Sequence, residues 1–331
     1  MTILSASLVL ATLAVLVVAA WAYLAYRHDL RASRERLRGA SRVIETSAGP
    51  IEYADTGEEG FPVFIVHGTG GGFDQGIELA GIYTSRRFRV IAMSRFGYLR
   101  TPLPPDPSPV AQADAHAALM DALGLEQIAI IGGSAGAPSV LQFAMRHAPR
   151  CAAVVLLVPL TYAPPDIARG ASVISPLEKR LLLTILGSDL AFWLGLKCAR
   201  NTIIKRVLGT PPQTVDTANL DEQTRVARIL NDILPISARV DGIRSDFLVS
   251  TSLTRFDLEK ISTPTLVLSV RDDLYGSFPG AEYTATQIPG ARLVGYEHGG
   301  HLWVGHHEEV VAEIEAFLDS HCAINQGTSK A

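Results

Sequence analysis

The stretch Ile128–Ser139 reads IAIIGGSAGAPS, and the rest of the chain is best read outward from it. Ile128-Ala129-Ile130-Ile131 is a continuous apolar run of the kind that suits a strand buried on both faces. It leads directly into Gly132-Gly133-Ser134-Ala135-Gly136, a G-x-S-x-G pattern, and then into a helical stretch. Small residues two before and two after the serine let the chain turn sharply from strand to helix, and the hydroxyl projects from the sheet edge. A helix that begins there turns its free N–H groups toward any anion formed at the site. Pro138 is tolerated because it falls in the first helical turn. The bare pattern is common and a glycine-rich turn also produces it; strand before and helix after make Ser134 a candidate nucleophile.

A serine needs a base, and the candidates come late, where Glu297–Trp303 reads EHGGHLW. His301 follows an expected final strand and a Gly-Gly turn and precedes a closing helix over Glu308–Ser320, so the order of elements favours it over His298. The base needs an acid that fixes its tautomer. The run Thr265–Val270 reads as a strand and ends in Arg271-Asp272-Asp273; Asp273 is preferred as the acid, with Asp272 the alternative. Val66-His67-Gly68-Thr69-Gly70-Gly71-Gly72 leaves another strand ahead of the nucleophile. The Thr69 and Ala135 N–H groups form the natural oxyanion pair. This loop lacks the G-K-[ST] end of a phosphate-binding loop, and counting G-x-G-x-x-G from Gly68 puts Phe73 where glycine is needed. No nucleotide or other cofactor is expected. His298, His301, His306 and His307 match neither HExxH nor a Cys/His zinc spacing, so no metal is expected either.

Around these motifs, apolar runs alternate with helical stretches. Ile51–Ala54, Val63–Val66, Arg89–Met93, Ala152–Val158 and Arg292–Tyr296 read as further strands, giving an α/β chain with a mostly parallel, doubly wound sheet. The alternation stops over 161–254, which is rich in helix formers and broken by Pro211-Pro212 and Pro235. That segment reads as a helical insertion. Its apolar residues (Phe192, Trp193, Leu194, Leu196) suit a hydrophobic substrate, although ordinary helix core accounts for them better. The expected division is an anchor at 1–26, a basic linker at 27–48, a core at 49–160 and 255–322, the helical insertion between, and a disordered tail at 323–331.

The anchor is the uncharged run Ile3–Tyr26. Its roughly 24 residues cover about 36 Å as a helix, enough for a hydrocarbon core of about 30 Å. MTILSAS carries no Lys or Arg, which argues against a cleaved signal peptide, and no cysteine precedes Cys151 for a lipid anchor. Arg27, Arg31, Arg34, Arg36, Arg38 and Arg42 follow the run, so the expected topology is single-pass with the following domain on the cytoplasmic side. The chain is 48% hydrophobic and 19% charged, which excludes a disordered polyelectrolyte. A net charge of −4 excludes a general nucleic-acid binder. Three widely separated cysteines cannot form a disulfide framework. Oligomeric state leaves no mark on the sequence.

Taken together, HGTGGG (67–72), GGSAG (132–136), SVRDD (269–273) and GGH (299–301), in that order within residues 50–320, resemble the α/β-hydrolase superfamily. The resemblance implies an eight-stranded sheet, a lid inserted after the sixth strand where the helical segment lies, and a triad carried onto Ser134, Asp273 and His301. Serine at the nucleophile position separates the chain from the aspartate-dependent dehalogenases and epoxide hydrolases of the superfamily. Ala135 and Thr69 depart from proline iminopeptidases, and Ser94 stands before Arg95-Phe96-Gly97 where many relatives carry aspartate. The expected activity is that of a serine hydrolase, carboxylesterase-like, acting on small acyl substrates. Acyl transfer or C–C cleavage on the same residues, and a non-catalytic membrane-tethered binding module, are the alternatives. A histidine base with its ordinary value near about 6.5 implies activity that falls in mild acid.

Overall fold

In a computed structural model, which describes residues 3–57, 59–83, 88–167, 180 and 184–322, the glycine-ended apolar runs become the strands of one sheet. Helix α1 (Ile3–Leu37) is followed by β1 (Arg42–Thr46), β2 (Gly49–Asp55), β3 (Phe61–Val66), α2 (Phe73–Tyr83), β4 (Phe88–Met93), α3 (Pro109–Ala122), β5 (Ile128–Gly133), α4 (Ala137–Arg146) and β6 (Cys151–Leu157). Helices α5 (Asp189–Cys198), α6 (Arg200–Val207), α7 (Pro212–Asp216), α8 (Leu220–Asp232) and α9 (Val240–Ser252) come next. The chain then returns through β7 (Thr265–Val270), α10 (Phe278–Gln287), β8 (Arg292–Tyr296) and α11 (His307–His321).

The strand order is β1-β2-β4-β3-β5-β6-β7-β8. β1 and β2 are antiparallel, as are β2 and β4, and every pairing from β4 across to β8 is parallel. Parallel neighbours need long crossovers, and the crossover helices cover both faces. β7 is accordingly buried along its whole length. On one face Leu119 and Met120 of α3 and Val140 and Phe143 of α4 pack on Phe64, Ile91, Ile130 and Val154. On the other, Val310, Ile314 and Leu318 of α11 pack on Ile65, Val90, Ile131 and Val155. Each such side chain, fully buried, contributes about 1.5–3 kcal/mol. The parallel strands end at one edge, where the loops after β3, β5, β7 and β8 gather.

The insertion after β6 has its own apolar core of Phe192, Trp193, Ile204, Val226, Leu230 and Ile243, closed from below by Tyr98 and Val304. Phe192, Trp193 and Leu196 belong to that core, while Leu194 is exposed. Leu181-Leu182-Leu183, and the tail at 323–331, lie outside the described residues.

Residues 27–48, expected as a basic and partly helical linker, are helical in part but also contribute a strand to the sheet. α1 continues without a break to Leu37, and 42–46 form the edge strand β1, so the sheet begins before residue 49. The strand escaped notice because an edge strand half open to solvent carries few apolar residues; in RVIET only Val43 and Ile44 are apolar. Among the described residues α1 is the one helix long and apolar enough to cross a membrane by length and composition. Its C-terminal part docks on the insertion: Ala22, Ala25 and Tyr26 pack against the insertion's core, and Leu30 is buried. The Tyr26 ring meets Trp193 edge-on at 5.8 Å, and Asp29 accepts from Trp193 Nε1 at 2.9 Å and pairs with Lys197 at 3.0 Å.

Candidate active site

Ser134 follows β5 directly and adopts φ = 47°, a left-handed conformation unusual for a residue with a Cβ. Such strain costs about 1–3 kcal/mol and persists only where surrounding packing enforces it. The packing here depends on two glycines. A Cβ on Gly136 would lie 2.5 Å from the Val66 carbonyl oxygen, and one on Gly68 would lie 3.0 Å from Ser134 Cβ. The elbow therefore rests against the end of β3 and the start of the glycine-rich loop. The Ser134 carbonyl accepts from Leu160 N–H at 3.0 Å. α4 begins just beyond, with Pro138 in its first turn.

The late motifs converge as a pair. His301 Nδ1 lies 2.8 Å from Asp273 Oδ2, and the Asp273 side chain is fully buried. Nδ1–H donates to the carboxylate, which leaves Nε2 as the basic nitrogen. Asp273 also accepts from Tyr275 N–H at 2.9 Å and from the Ser277 hydroxyl. Burial alone would raise its pKa, but the charge and hydrogen bond of His301 and the donors from Ser277 and Tyr275 outweigh it and hold the carboxyl below its ordinary value. The imidazole stands edge-on to the Tyr275 ring at 4.8 Å, and its backbone N–H donates to Gly209 O at 3.2 Å. Among the described residues no hydrogen bond reaches Ser134 Oγ, from His301 or any other group. Such bonds often tighten only when substrate binds.

The two alternatives sit nearby in different roles. Asp272 accepts from Gly300 N–H at 2.7 Å, fixing the turn that carries His301, and His298 is exposed 3.5 Å from Asp272. His306 pairs with Glu309, and His307 accepts from Trp303 Nε1. Among the described residues no three metal-ligating side chains cluster.

The glycine-rich loop is held from three sides. His67 Nδ1–H donates to Gly68 O at 2.7 Å, and its Nε2 accepts from Arg95 N–H at 3.0 Å, so the ring is a neutral spacer. Burial, reinforced by the nearby Arg95 charge, pushes its pKa well below the ordinary value. Thr69 Oγ1 donates to Asp246 Oδ2 at 2.9 Å, and Gly70 N–H to Tyr98 Oη at 3.4 Å. Asp246, on α9, also accepts from both Arg95 terminal nitrogens at 2.8 and 2.7 Å and from Tyr98 Oη at 2.5 Å. The Thr69 N–H itself has no acceptor among the described residues and remains available beside the elbow. A small recess lies on the α4 side of the elbow, between Ala135, Pro138 and Ser139 on one side and Ser245, Asp246 and Val249 on the other; Ser134, Thr69 and His301 do not line it.

Sequence reasoning missed several residues that position this site. Asp246, Glu222 and Arg225 lie in the insertion. Glu222 accepts from Gly305 N–H at 2.9 Å and Arg225 donates to Leu302 O at 2.8 Å, so together they clamp the His301 turn. Tyr275 and Ser277 lie within four residues of Asp273, and that proximity was the one signal available for them. At Ser94, where the superfamily resemblance leads to an expectation of aspartate, a carboxylate is still present: Ser94 Oγ donates to the buried Glu52 at 3.0 Å, which also accepts from Arg100 N–H.

Comparison with known proteins bears on these observations. The profile described as alpha/beta hydrolase fold matches residues 62–305. A 2-hydroxymuconate semialdehyde hydrolase of Pseudomonas putida is 36% identical over 102 residues, 30% of this chain and 36% of that protein. The uncharacterized hydrolase YcgS of Bacillus subtilis is 26% identical over 294 residues, covering 84% of this chain and 99% of that protein. Among solved structures, a bacterial membrane phospholipase A superposes with a TM-score of 0.66 at 22% identity, covering 95% of this chain and 98% of its own, a likeness of fold.

Proposed function

This chain belongs to the alpha/beta hydrolase family, and we propose that within it the protein is a serine hydrolase of carboxylic esters or related acyl substrates, anchored to a membrane by α1. The observation that carries the reading is the buried Asp273–His301 pair at 2.8 Å, at the same sheet edge as a serine held at positive φ. His301 Nε2 takes the Ser134 proton as Oγ attacks the substrate carbonyl. The Thr69 and Ala135 N–H groups receive the oxyanion, and the imidazolium returns its proton to the leaving alcohol. Water, activated by the same imidazole, then cleaves the acyl-enzyme. Asp273 keeps Nε2 as the basic nitrogen and offsets the imidazolium charge. The arginines from Arg27 onward support a single pass with the catalytic domain on the cytoplasmic side.

Ser134→Ala tests the mechanism directly. Turnover of a p-nitrophenyl ester series of rising chain length is expected to fall by about 10⁴–10⁶ while the fold is kept. A fluorophosphonate probe is expected to label wild type at Ser134 and to lose that label in His301→Ala. Undiminished turnover by a verified Ser134→Ala protein refutes the reading. The similarity to a 2-hydroxymuconate semialdehyde hydrolase supports C–C cleavage as a second reading on the same residues. A vinylogous 1,5-diketone substrate, cleaved faster than the esters, would favour it.

A further inference from the structure

Six arginines follow the apolar run of α1, and topology alone does not explain why Arg36 is built into the catalytic domain by several contacts. Arg36 Nη1 donates to Asp74 Oδ2 at 2.8 Å, its Nε lies 3.1 Å from Asp232 Oδ1, and Nη2 donates to the carbonyls of Asp232 at 2.9 Å and Leu234 at 3.3 Å. Asp74 is buried in the first turn of α2, two residues beyond the glycine-rich loop. Its other partner is Arg239, whose side chain is fully buried. Arg239 Nη2 reaches Asp74 Oδ2 at 2.7 Å, and Nη1 donates to Gly71 O at 2.5 Å. Gly71 N–H in turn donates to Gly68 O at 3.2 Å, the same oxygen that accepts from His67. Gly71 is thus pinned through both its N–H and its C=O, and Thr69 lies inside the 68–71 turn that the first of these bonds closes.

We propose that Arg36 is a positioning residue for the oxyanion loop, so that the docked end of the anchoring helix helps set the rate of the chemical step. The inference rests on the serine-hydrolase reading given above. Charge balance provides the mechanism. Asp74, Asp232 and Glu78 face Arg36, Arg239 and Arg228, with Arg228 on Glu78 at 3.1 Å. Arg36 is the cation that Asp74 and Asp232 share, and without it the Asp232 carboxyl keeps, among the described residues, only its hydrogen bond with Glu78. Arg239, already donating to the Asp232 carbonyl at 3.0 Å, is then drawn toward Asp232 and away from Gly71 O. Docking of α1 does not depend on Arg36 alone, because Ala25, Tyr26 and Asp29 already hold the helix to the insertion. The effect is therefore expected in the loop rather than in attachment of the helix.

The test uses the full chain in detergent micelles with p-nitrophenyl butyrate. Misplacing catalytic groups by about 1 Å costs up to about 100-fold, and a partial displacement in Arg36→Ala should lower kcat about tenfold with KM within about twofold. Arg36→Lys keeps the charge without the fork and is expected to recover part of the loss. Arg31→Ala, exposed on the same helix, should match wild type. Amide exchange should quicken over residues 68–75 in Arg36→Ala and stay unchanged in β7. If Arg36→Ala does not fold, Arg36→Lys carries the same comparison, with reduced kcat and faster exchange at 68–75. Wild-type kcat in a folded Arg36→Ala protein, or a loss carried by KM alone, overturns the proposal. Activity retained by Ser134→Ala overturns the catalytic reading instead, and the exchange comparison still reports whether Arg36 orders the loop.

Discussion

Asp246→Asn tests how the insertion is tied to the glycine-rich loop. The Asp246 carboxylate accepts from Arg95 at 2.8 and 2.7 Å, from Tyr98 Oη at 2.5 Å and from Thr69 Oγ1 at 2.9 Å, and both charged residues are 6% exposed. Removing one member of a buried ion pair costs about 3–5 kcal/mol, because the survivor keeps its desolvation penalty without its counter-charge. Asparagine retains one accepting oxygen, so the lower end, about 3 kcal/mol, is expected. For a domain of roughly 280 residues that corresponds to a drop in Tm of about 5 °C. The assay is thermal and urea unfolding of wild type, Asp246→Asn, Arg95→Met and the double variant Arg95→Met/Asp246→Leu. The double variant is expected to be less destabilised than either single one, since no lone charge remains. Because the one retained oxygen, now uncharged, serves Arg95, Tyr98 and Thr69 together, the Thr69 bond weakens and kcat should fall together with stability. If Asp246→Asn unfolds within about 1 kcal/mol of wild type, the pair is not desolvated as its burial implies and the reasoning fails.

Two further outcomes follow from the same distances. Asp273→Asn should lower kcat by about 10³–10⁴ through the wrong imidazole tautomer, whereas Asp272→Asn, which only loosens the Gly300 turn, should keep kcat within about tenfold; equal losses in the two variants would show that the acid is misassigned. Stability should also fall in acid. Burial raises the carboxyls of Asp74 and Asp273, but Arg239 and Arg36 in the first case, and His301, Ser277 and the Tyr275 N–H in the second, hold both below the ordinary aspartate value near 3.8. A depressed folded value gives stability that is fully present above the unfolded value and lost as pH falls through the folded one, so the loss belongs below about pH 4. Glu78 and Asp232, raised by burial and in part by neighbouring carboxylates, act in the opposite sense. A Tm that stays flat from pH 6 to pH 3 would contradict the dominance of the first pair.

What the sequence made legible was local, and what it hid was pairing at a distance. The bounds of β7 are readable from its apolar run because that strand lies inside the sheet, where side-chain type tracks burial, while β8, at the far edge, is marked by Leu293, Val294 and Tyr296. β1 is an edge strand, so its pattern is diluted, and the basic character of its surroundings suggested a linker. The site divides in the same way. Ser134, Asp273 and His301 each end a strand or follow a glycine turn, positions that carry chemical meaning without knowledge of any partner. Asp246, 177 residues from the Thr69 it orients, sits in a helix where a carboxylate ordinarily marks a solvated face. Arg239 and Arg225 read the same way. Periodicity tells which face of a helix is buried, not what that face meets, and here the buried face meets the loops that would run the chemistry. Gly209 O takes the N–H groups of both Leu274 and His301, Glu222 and Arg225 clamp the turn after His301, and Asp246 takes Thr69. The insertion is hydrogen-bonded into the Asp273, His301 and Thr69 loops at once. Swinging these helices aside as a rigid flap would undo the geometry they support, so the helical insertion belongs to the site as much as the sheet does.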